Sequence, residues 1–290
     1  MDPASGSDAG LGEIVRRVLC LIQFPAAIAA IAPTHASAAQ PEIVRYADAP
    51  RALAGELFKP AGPGPFPAVL WDHGSAPGML NSEASRAIAP LFVRAGWVFF
   101  MPYRRGQGLS AQAGPYILDE VSAARRRGGK NEASVQLVRL LATDHLQDQL
   151  QALAWLRSQP YVSGGRVALA GNSFGGIEAI LGAARAPVCA TVAASAASDS
   201  WDESPELQQL MKDAAGRSAS PLLLFQAAND FSLAPNKAML QLRQQEGKPV
   251  EYKVYPAFGT SANAGHSFPY RSVDTWFTDV FGFLARSCGT

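Results

Sequence analysis

A serine between glycines at a strand-to-helix junction constrains this chain more than any other feature. The apolar run Arg166–Ala170 predicts a buried strand, and residues 171–176 (Gly-Asn-Ser-Phe-Gly-Gly) lead from it into a helix start. So sharp a turn needs residues without a Cβ on both sides of Ser173, and glycines stand there. A glycine-rich turn without function is the alternative. The order of strand, turn and helix favours Ser173 as a nucleophile, with the Phe174 N–H free to face a developing oxyanion.

A candidate acid and a candidate base follow the serine along the chain. Asp230 comes just past Pro221–Phe225, an apolar run that predicts a buried parallel strand. The alternative for Asp230 is a helix cap, but a carboxylate at the end of such a strand can orient an imidazole, so we predict it as the triad acid. His266 follows the last predicted strand and a loop of Gly, Ala, Ser and Asn. We predict His266 as the general base.

Elimination among the four histidines supports His266. His35 lies in a leader that we expect to be removed, His145 is predicted to open a helix, and His73 precedes the nucleophile. The tripeptide at residues 73–75 (His-Gly-Ser) ends an apolar strand and is typical of the loop that supplies a second oxyanion donor. We predict the Ser75 N–H as that donor, and a shift of one residue in register would make it the Gly74 N–H.

Six segments of the chain together resemble one family. The resemblance is to the dienelactone-hydrolase-like group of α/β-hydrolases, which grades into the prolyl-oligopeptidase-like esterases. The six segments, all within about residues 50–285, are 72–75, 103–110, 154–162, 171–176, 229–230 and 265–268. The last three hold the predicted triad. Dienelactone hydrolases proper use a cysteine nucleophile, whereas position 173 is a serine. The resemblance therefore implies an α/β-hydrolase fold and a serine esterase more than it implies dienelactone as the substrate.

Strand and helix signals alternate along the chain, which predicts an α/β fold. We expect a mostly parallel central sheet with helices on both faces and right-handed crossovers. An antiparallel strand is predicted at 51–58, and further strands at 69–71, 97–101, 167–170, 188–194, 222–225 and 252–255. The length suits a single domain over residues 40–290. The stretch 115–141 is longer than a plain strand-to-helix connection, which favours a small helical cover over the site.

Residues 1–39 are predicted to be a secretory signal peptide. Arg16 and Arg17 supply a basic start, residues 18–31 are apolar but too short to span a bilayer comfortably, and small residues precede Gln40. We therefore expect a secreted or periplasmic protein without stable membrane insertion after cleavage. Export would permit a disulfide between Cys189 and Cys288, and the alternative for Cys189 is a buried apolar thiol in a strand.

Charge and composition narrow the partners. The chain has 25 Lys and Arg against 24 Asp and Glu, so no strong field favours nucleic acid or an anionic membrane. The sequence has neither metal ligands at suitable spacing nor a phosphate-binding glycine loop, so we expect no metal and no cofactor. The expected partner is a small-molecule ester. Loops at the strand ends should line its pocket, and the candidate substrate-binding residues are Tyr103, Arg104 and Trp201. The alternative for Tyr103 and Trp201 is a role in packing. The alternative for Arg104 is that it braces the loop.

Together these features favour an exported serine hydrolase that cleaves carboxylic esters through a Ser-His-Asp triad and an acyl-enzyme. One alternative is an exported prolyl-oligopeptidase-like peptidase, although such peptidases add a large propeller for which this sequence leaves no room. The other is a non-catalytic binding protein on the same scaffold. That alternative predicts a missing triad residue, and all three are present.

Overall fold

The computed structural model describes residues 40–47, 52–75 and 83–289, and the predicted signal peptide lies outside them. In this part of the chain, eight strands form one sheet in the order β1-β2-β4-β3-β5-β6-β7-β8. The strands are β1 (Glu42–Ala47), β2 (Leu53–Phe58), β3 (Phe66–Asp72), β4 (Val98–Pro102), β5 (Val162–Asn172), β6 (Thr191–Ala194), β7 (Leu222–Ala227) and β8 (Val250–Tyr255). Pairing is antiparallel for β1 with β2 and β2 with β4, and parallel elsewhere. The predicted α/β class with a mostly parallel sheet is confirmed.

Helices connect the strands. They are α1 (Glu83–Arg94), α2 (Ile117–Leu140), α3 (Leu146–Arg157), α4 (Phe174–Ala183), α5 (Pro205–Arg217), α6 (Ala234–Gln245), α7 (Ala262–Arg271) and α8 (Val273–Cys288). A short 3₁₀ helix spans Gly108–Ala113, and a π-helical turn at Leu141–His145 joins α2 to α3. Among the described residues, no helix combines the length and apolar character needed to cross a membrane.

The helices pack on both faces of the sheet because successive strand residues point to opposite sides. In β3, Val69 and Trp71 face the layer formed by α1, α7 and α8. There Trp71 stacks on Trp276 with ring centroids 5.7 Å apart. The alternate residues Ala68 and Leu70 face the layer that contains α3 and α4. Both faces of the central strands are therefore buried, which is why these strands are continuous apolar runs in the sequence.

The segment 115–141 folds mainly as α2. The helix is interrupted at Gly128 and Gly129, the second of which has φ 75°. Its C-terminal half contacts the start of α5, where the Ser134 and Ser204 hydroxyls are 2.6 Å apart, and Lys130 pairs with Glu203 at 2.5 Å. The segment is thus helical, and a covering role over the site stays a prediction.

The segment around His266 is a helix, so the loop predicted there is wrong. Ser261 caps α7, since its side-chain oxygen accepts the Ala264 N–H at 3.1 Å. The Gly, Ser and Asn residues of this stretch have weak helix propensity, which suggested a loop. Burial of Phe268 in the core beside α8 outweighs that propensity.

A disulfide joins Cys189 to Cys288, one of the two alternatives that the sequence leaves open. Cys189 lies just before β6, and Cys288 is the last residue of α8. The Arg166 side chain reinforces this end of the chain by donating hydrogen bonds to the carbonyls of Cys288 and Gly289, at 3.1 and 2.6 Å. The C-terminal helix is therefore tied covalently to the middle of the sheet.

Loss of this disulfide should lower the free energy of unfolding by about 2–4 kcal/mol, since the bond closes a long loop in the unfolded chain. Cys189→Ser, Cys288→Ser and the double variant should lose the same amount, because each breaks the same bond. Denaturant unfolding of residues 40–290 with and without dithiothreitol measures this. The reductant should destabilise the wild type and leave the variants unchanged. Additive losses from the two single variants would contradict the bridge.

Candidate active site

Ser173 stands at a strained turn between β5 and α4. Its backbone has φ 58° and ψ −121°, a region that non-glycine residues rarely adopt. The glycines on each side allow the turn to lie close to the end of β3. A Cβ on Gly171 would come within 2.8 Å of the Asp72 carbonyl oxygen, and one on Gly175 would collide with the same carbonyl. The predicted reason for both glycines therefore matches the observed packing.

A line of hydrogen bonds joins Ser173, His266 and Asp230. The Ser173 Oγ lies 2.9 Å from His266 Nε2, and His266 Nδ1 lies 2.9 Å from Asp230 Oδ1. With the proton on Nδ1, the imidazole donates to the carboxylate and accepts from the serine hydroxyl, which is the arrangement of a nucleophile and its general base. The Asp230 side chain is fully buried, while that of His266 is 18% exposed. The structure thus brings together the three residues predicted as a triad.

The alternative role of Asp230 as a helix cap does not match its contacts. Helix α6 begins at Ala234, whose N–H donates to the Ser232 hydroxyl at 3.2 Å. The Asp230 carboxylate instead accepts the N–H of Phe231 at 2.8 Å. Its local hydrogen bond fixes the carboxylate in the loop after β7, where it can reach His266.

Sequence reasoning missed Ser198 as a neighbour of this line. Its hydroxyl lies 2.7 Å from Asp230 Oδ1 and 2.9 Å from His266 Nδ1. The sequence predicts the loop at 198–202 as part of the pocket lining, because it follows the carboxyl end of a strand, but it indicates no individual role for Ser198. The available signal was a small polar residue just past the carboxyl end of β6.

The loop after β3 presents its backbone to Ser173. An added Cβ on Gly74 would meet the Ser173 Cβ at 3.5 Å, so the two residues are in direct proximity. The Gly74 N–H donates to the Tyr270 hydroxyl at 3.2 Å. The sequence leaves open whether the Ser75 N–H or the Gly74 N–H is the oxyanion donor. Because the Gly74 N–H already donates to Tyr270, this hydrogen bond favours the Ser75 N–H.

His73 fixes the peptide that carries the Ser75 N–H. Its Nδ1–H donates to the Gly74 carbonyl at 2.7 Å, and its Nε2 accepts the Arg104 N–H at 3.3 Å. In a trans peptide the N–H points opposite to the carbonyl, so holding the Gly74 oxygen also sets the direction of the Ser75 N–H. Burial, helped by the charge of Arg104, lowers the pKa of His73 to about 3. His73 therefore stays neutral and keeps one tautomer.

The second predicted oxyanion donor belongs to α4. Phe174 is the first residue of this helix, so its N–H has no acceptor within the helix. The N-terminus of α4 also carries the positive end of the helix dipole. An oxyanion formed at Ser173 would face this end.

Arg104 lies beneath the site and is engaged by protein groups. Its guanidinium is 2.8 Å from the Glu178 carboxylate and donates to the His73 carbonyl at 2.5 Å. Burial raises the pKa of Glu178, and the charge of Arg104 opposes this effect. Burial also raises the pKa of Asp72 well above its usual range, and the charge of Glu178 adds to the rise. These contacts match the alternative role of Arg104 left open by the sequence, which is to brace the loop.

The three predicted substrate-binding residues are all buried. Tyr103, Arg104 and Trp201 are 1%, 4% and 5% exposed. Trp201 packs in the same apolar cluster as Phe174, and the Tyr103 ring lies 5.2 Å from that of His73. Their contacts are those of packing and bracing, and a direct role with substrate stays a prediction.

A surface cavity of about 160 Å³ lies between α2 and the loop that follows Ser198. Its lining includes Asp199, Ser200 and Glu203 on one side and Arg125 and Lys130 on the other. Over the described ranges, no group of three or more His, Cys, Asp or Glu side chains could hold a metal ion.

Comparison with known proteins identifies relatives of the fold. A model of the dienelactone hydrolase family matches residues 53–279. A candidate dienelactone hydrolase from Klebsiella pneumoniae superposes with a TM-score of 0.62 at 17% identity, covering 86% of this chain and 99% of its own. Esterase 2 of Thermogutta terrifontis gives 0.56 at 14% identity, with coverages of 85% and 92%. A search of curated protein sequences gives no match.

Larger peptidases contain the same fold as one part. The acylaminoacyl peptidase of Pyrococcus horikoshii superposes with a TM-score of 0.61 at 16% identity over 87% of this chain. The match covers 42% of the peptidase, so this chain corresponds to under half of that protein. At such identities the structural likeness establishes the fold alone. With the family match over most of its length, the chain belongs to the dienelactone hydrolase family of α/β hydrolases.

Proposed function

We propose that this protein is an exported serine hydrolase that cleaves carboxylic esters of small molecules through a covalent acyl-enzyme. The observation that carries the proposal is the continuous hydrogen-bonded line from Ser173 Oγ through His266 to the buried Asp230, with each distance 2.9 Å. A non-catalytic binding protein would have no need for this line or for the strained backbone at Ser173.

The geometry suits each proton transfer of an acyl-transfer reaction. Ser173 Oγ attacks the ester carbonyl carbon while its proton passes to His266 Nε2, and the carbonyl oxygen becomes an oxyanion facing the N–H groups of Phe174 and Ser75. The intermediate collapses as the leaving alcohol takes the proton from Nε2. Water then attacks the acyl-serine with His266 again as base, and the carboxylic acid is released. Asp230 accepts the Nδ1–H and stabilises the imidazolium each time it forms.

The disulfide supports export. Disulfides persist in oxidising compartments and are rare in the cytosol, so the bond between Cys189 and Cys288 suits a secreted or periplasmic protein. The basic and apolar leader that precedes Gln40 supports the same proposal. Mass spectrometry of the exported protein should find an N-terminus at Ala39 or Gln40.

A peptidase is the second candidate, and the similarity to acylaminoacyl peptidases favours it. Both candidates need the same triad, so the substrate separates them. We expect the protein to hydrolyse nitrophenyl acetate faster than the matching acetyl nitroanilide. Faster cleavage of the anilide would support the peptidase.

Removing the nucleophile should abolish activity. Ser173→Ala and His266→Ala should each lower kcat by roughly 10⁴-fold or more, because the triad acts as a unit. An organophosphonate should label Ser173, as detected by peptide mass spectrometry. Ser267→Ala is the matched control, since this neighbouring serine bonds the Ala264 carbonyl and takes no part in the line. Substantial esterase activity in Ser173→Ala would overturn the mechanism.

The rate should fall in acid, because an imidazolium cannot accept the Ser173 proton. Burial lowers the pKa of His73 to about 3 and that of His145 far below its usual value. Neither contributes an acid limb above about pH 4. His145→Gln should therefore leave the pH dependence of kcat/KM unchanged. A rate that does not fall towards acid pH would be incompatible with a histidine base.

Short acyl chains should be preferred. Phe174, which follows Ser173, and Trp201 pack in one apolar cluster of the core, which suits a compact acyl site. Each methylene that fits should add on the order of 0.8 kcal/mol, so kcat/KM should rise over the first few carbons and then fall. A series of nitrophenyl esters from acetyl to palmitoyl measures this. A maximum at the longest chains would point to a lipase instead.

A further inference from the structure

Ser198 occupies an unusual place beside the buried pair of Asp230 and His266. Its side chain is buried, and its oxygen lies within 2.9 Å of both Asp230 Oδ1 and His266 Nδ1. The three atoms form a closed triangle, because Oδ1 and Nδ1 are themselves 2.9 Å apart. A serine that merely filled space would not need to meet both partners.

The backbone that presents Ser198 is strained. In the part of the chain that the structure describes, three non-glycine residues have positive φ: Ser173 at 58°, Ser195 at 50° and Ala197 at 58°. The first is the proposed nucleophile, and the other two form the turn that leads from β6 to Ser198. Residues held in such regions persist only where surrounding structure enforces them, and they cluster at functional sites. The turn is held in place by the Ser195 N–H, which donates to the Phe225 carbonyl at 2.9 Å.

The donor and acceptor capacities of the three side chains assign the Ser198 hydroxyl proton and the His266 Nδ1 proton. A carboxylate can only accept, so the single Ser198 proton is donated to Asp230 Oδ1. A lone pair of the Ser198 oxygen then faces the His266 Nδ1–H, which lies between two acceptors. Asp230 Oδ1 accepts from three donors, namely Ser198, His266 and the Phe231 N–H. The buried Oδ2 has no hydrogen-bond partner among the described residues. The carboxylate is thus oriented entirely through one oxygen.

We propose that Ser198 is a positioning residue of the triad that holds the Asp230 carboxylate and the His266 ring in mutual register. This inference rests on the proposed function of Ser173 as nucleophile. The Ser198 hydroxyl prevents the carboxylate from rotating about its side chain, and it supplies a second acceptor to the Nδ1–H when the imidazole becomes positively charged. Ser198 acts through Asp230 and His266 and does not touch the substrate.

Substitution of Ser198 tests the proposal through kcat. Ser198→Ala should lower kcat for a short nitrophenyl ester about 10- to 100-fold with little change in KM, the factor expected for a hydrogen bond to a charged group. Ser158→Ala at the end of α3 is the control, because its exposed hydroxyl donates to the Trp155 carbonyl at 2.7 Å and takes no part in the line. The control should keep wild-type kcat. Equal kcat for Ser198→Ala and the wild type would overturn the proposal.

An isosteric pair separates the hydroxyl from packing. Thr and Val have the same shape, so Ser198→Thr and Ser198→Val impose the same steric change and differ in the hydroxyl. Ser198→Thr should exceed Ser198→Val in kcat by at least about 10-fold at equal melting temperature. This comparison remains informative if Ser198→Ala folds poorly. Equal rates for the pair would assign Ser198 to packing and overturn the proposal.

A double-mutant cycle tests whether Ser198 acts through Asp230. In an Asp230→Asn background, Ser198→Ala should cost far less than its 10- to 100-fold effect in the wild type, because the charged acceptor is gone. Additive losses would contradict the proposed coupling. Failure of the proposed function would look different: the wild type would not hydrolyse the ester, or Ser173→Ala would retain its activity.

A proton NMR measurement needs no turnover. The low-field resonance of the His266 Nδ1–H, identified by its loss in His266→Ala, should shift in Ser198→Ala and stay unchanged in Ser158→Ala. An unchanged resonance in Ser198→Ala would show that the hydroxyl does not contact this proton, and would overturn the proposal independently of the enzyme's substrate.

Discussion

The close approach of helix α4 to the end of strand β3 is the constraint on which the site depends. Gly171 and Gly175 allow it, because a Cβ at either position would strike the Asp72 carbonyl. With the helix start so close to the loop after β3, Gly74 comes into contact range of Ser173. The proposed nucleophile and the predicted oxyanion donors therefore belong to one packed unit. A side chain at position 175 would push the start of α4 away from the end of β3. Ser173 and the Phe174 N–H would then both move away from the Ser75 N–H.

A layer of buried charge beneath this unit fixes its orientation. Arg104 joins Glu178 of α4 to the His73 carbonyl after β3, so a single guanidinium links the two elements that form the site. A buried ion pair is a poor source of net stability, because desolvation of both groups costs about as much as their attraction returns. Its geometric effect is clearer. The pair keeps the His73 peptide in place, and His73 in turn directs the Ser75 N–H.

Much of this arrangement is predictable from the sequence because its determinants are local. The glycines around Ser173 follow from the steric demands of one turn, and the position of Asp230 follows from the end of an apolar strand. The edge strand β1 is not predictable in this way, since Val44 and Tyr46 alone are buried in it and the rest is more exposed. The sequence does not indicate helix α7, because its Gly, Ser and Asn residues have weak helix propensity. Glu178, the partner of Arg104, lies 74 positions away in the sequence. These features depend on tertiary contacts that no local pattern records.

Strand β6 combines a secured beginning with a strained end. It is only four residues long, it pairs with β5 and β7 on its two sides, and Cys189 just before it is bonded to α8. Its other end continues into Ser195 and Ala197, both at positive φ. A backbone in that region relaxes unless its flanks are held, and the parallel pairing holds one flank while the Ser195 N–H bond to Phe225 holds the next residue. The rigid middle of the sheet can therefore maintain a costly turn, and that turn brings the Ser198 hydroxyl to the carboxylate of Asp230.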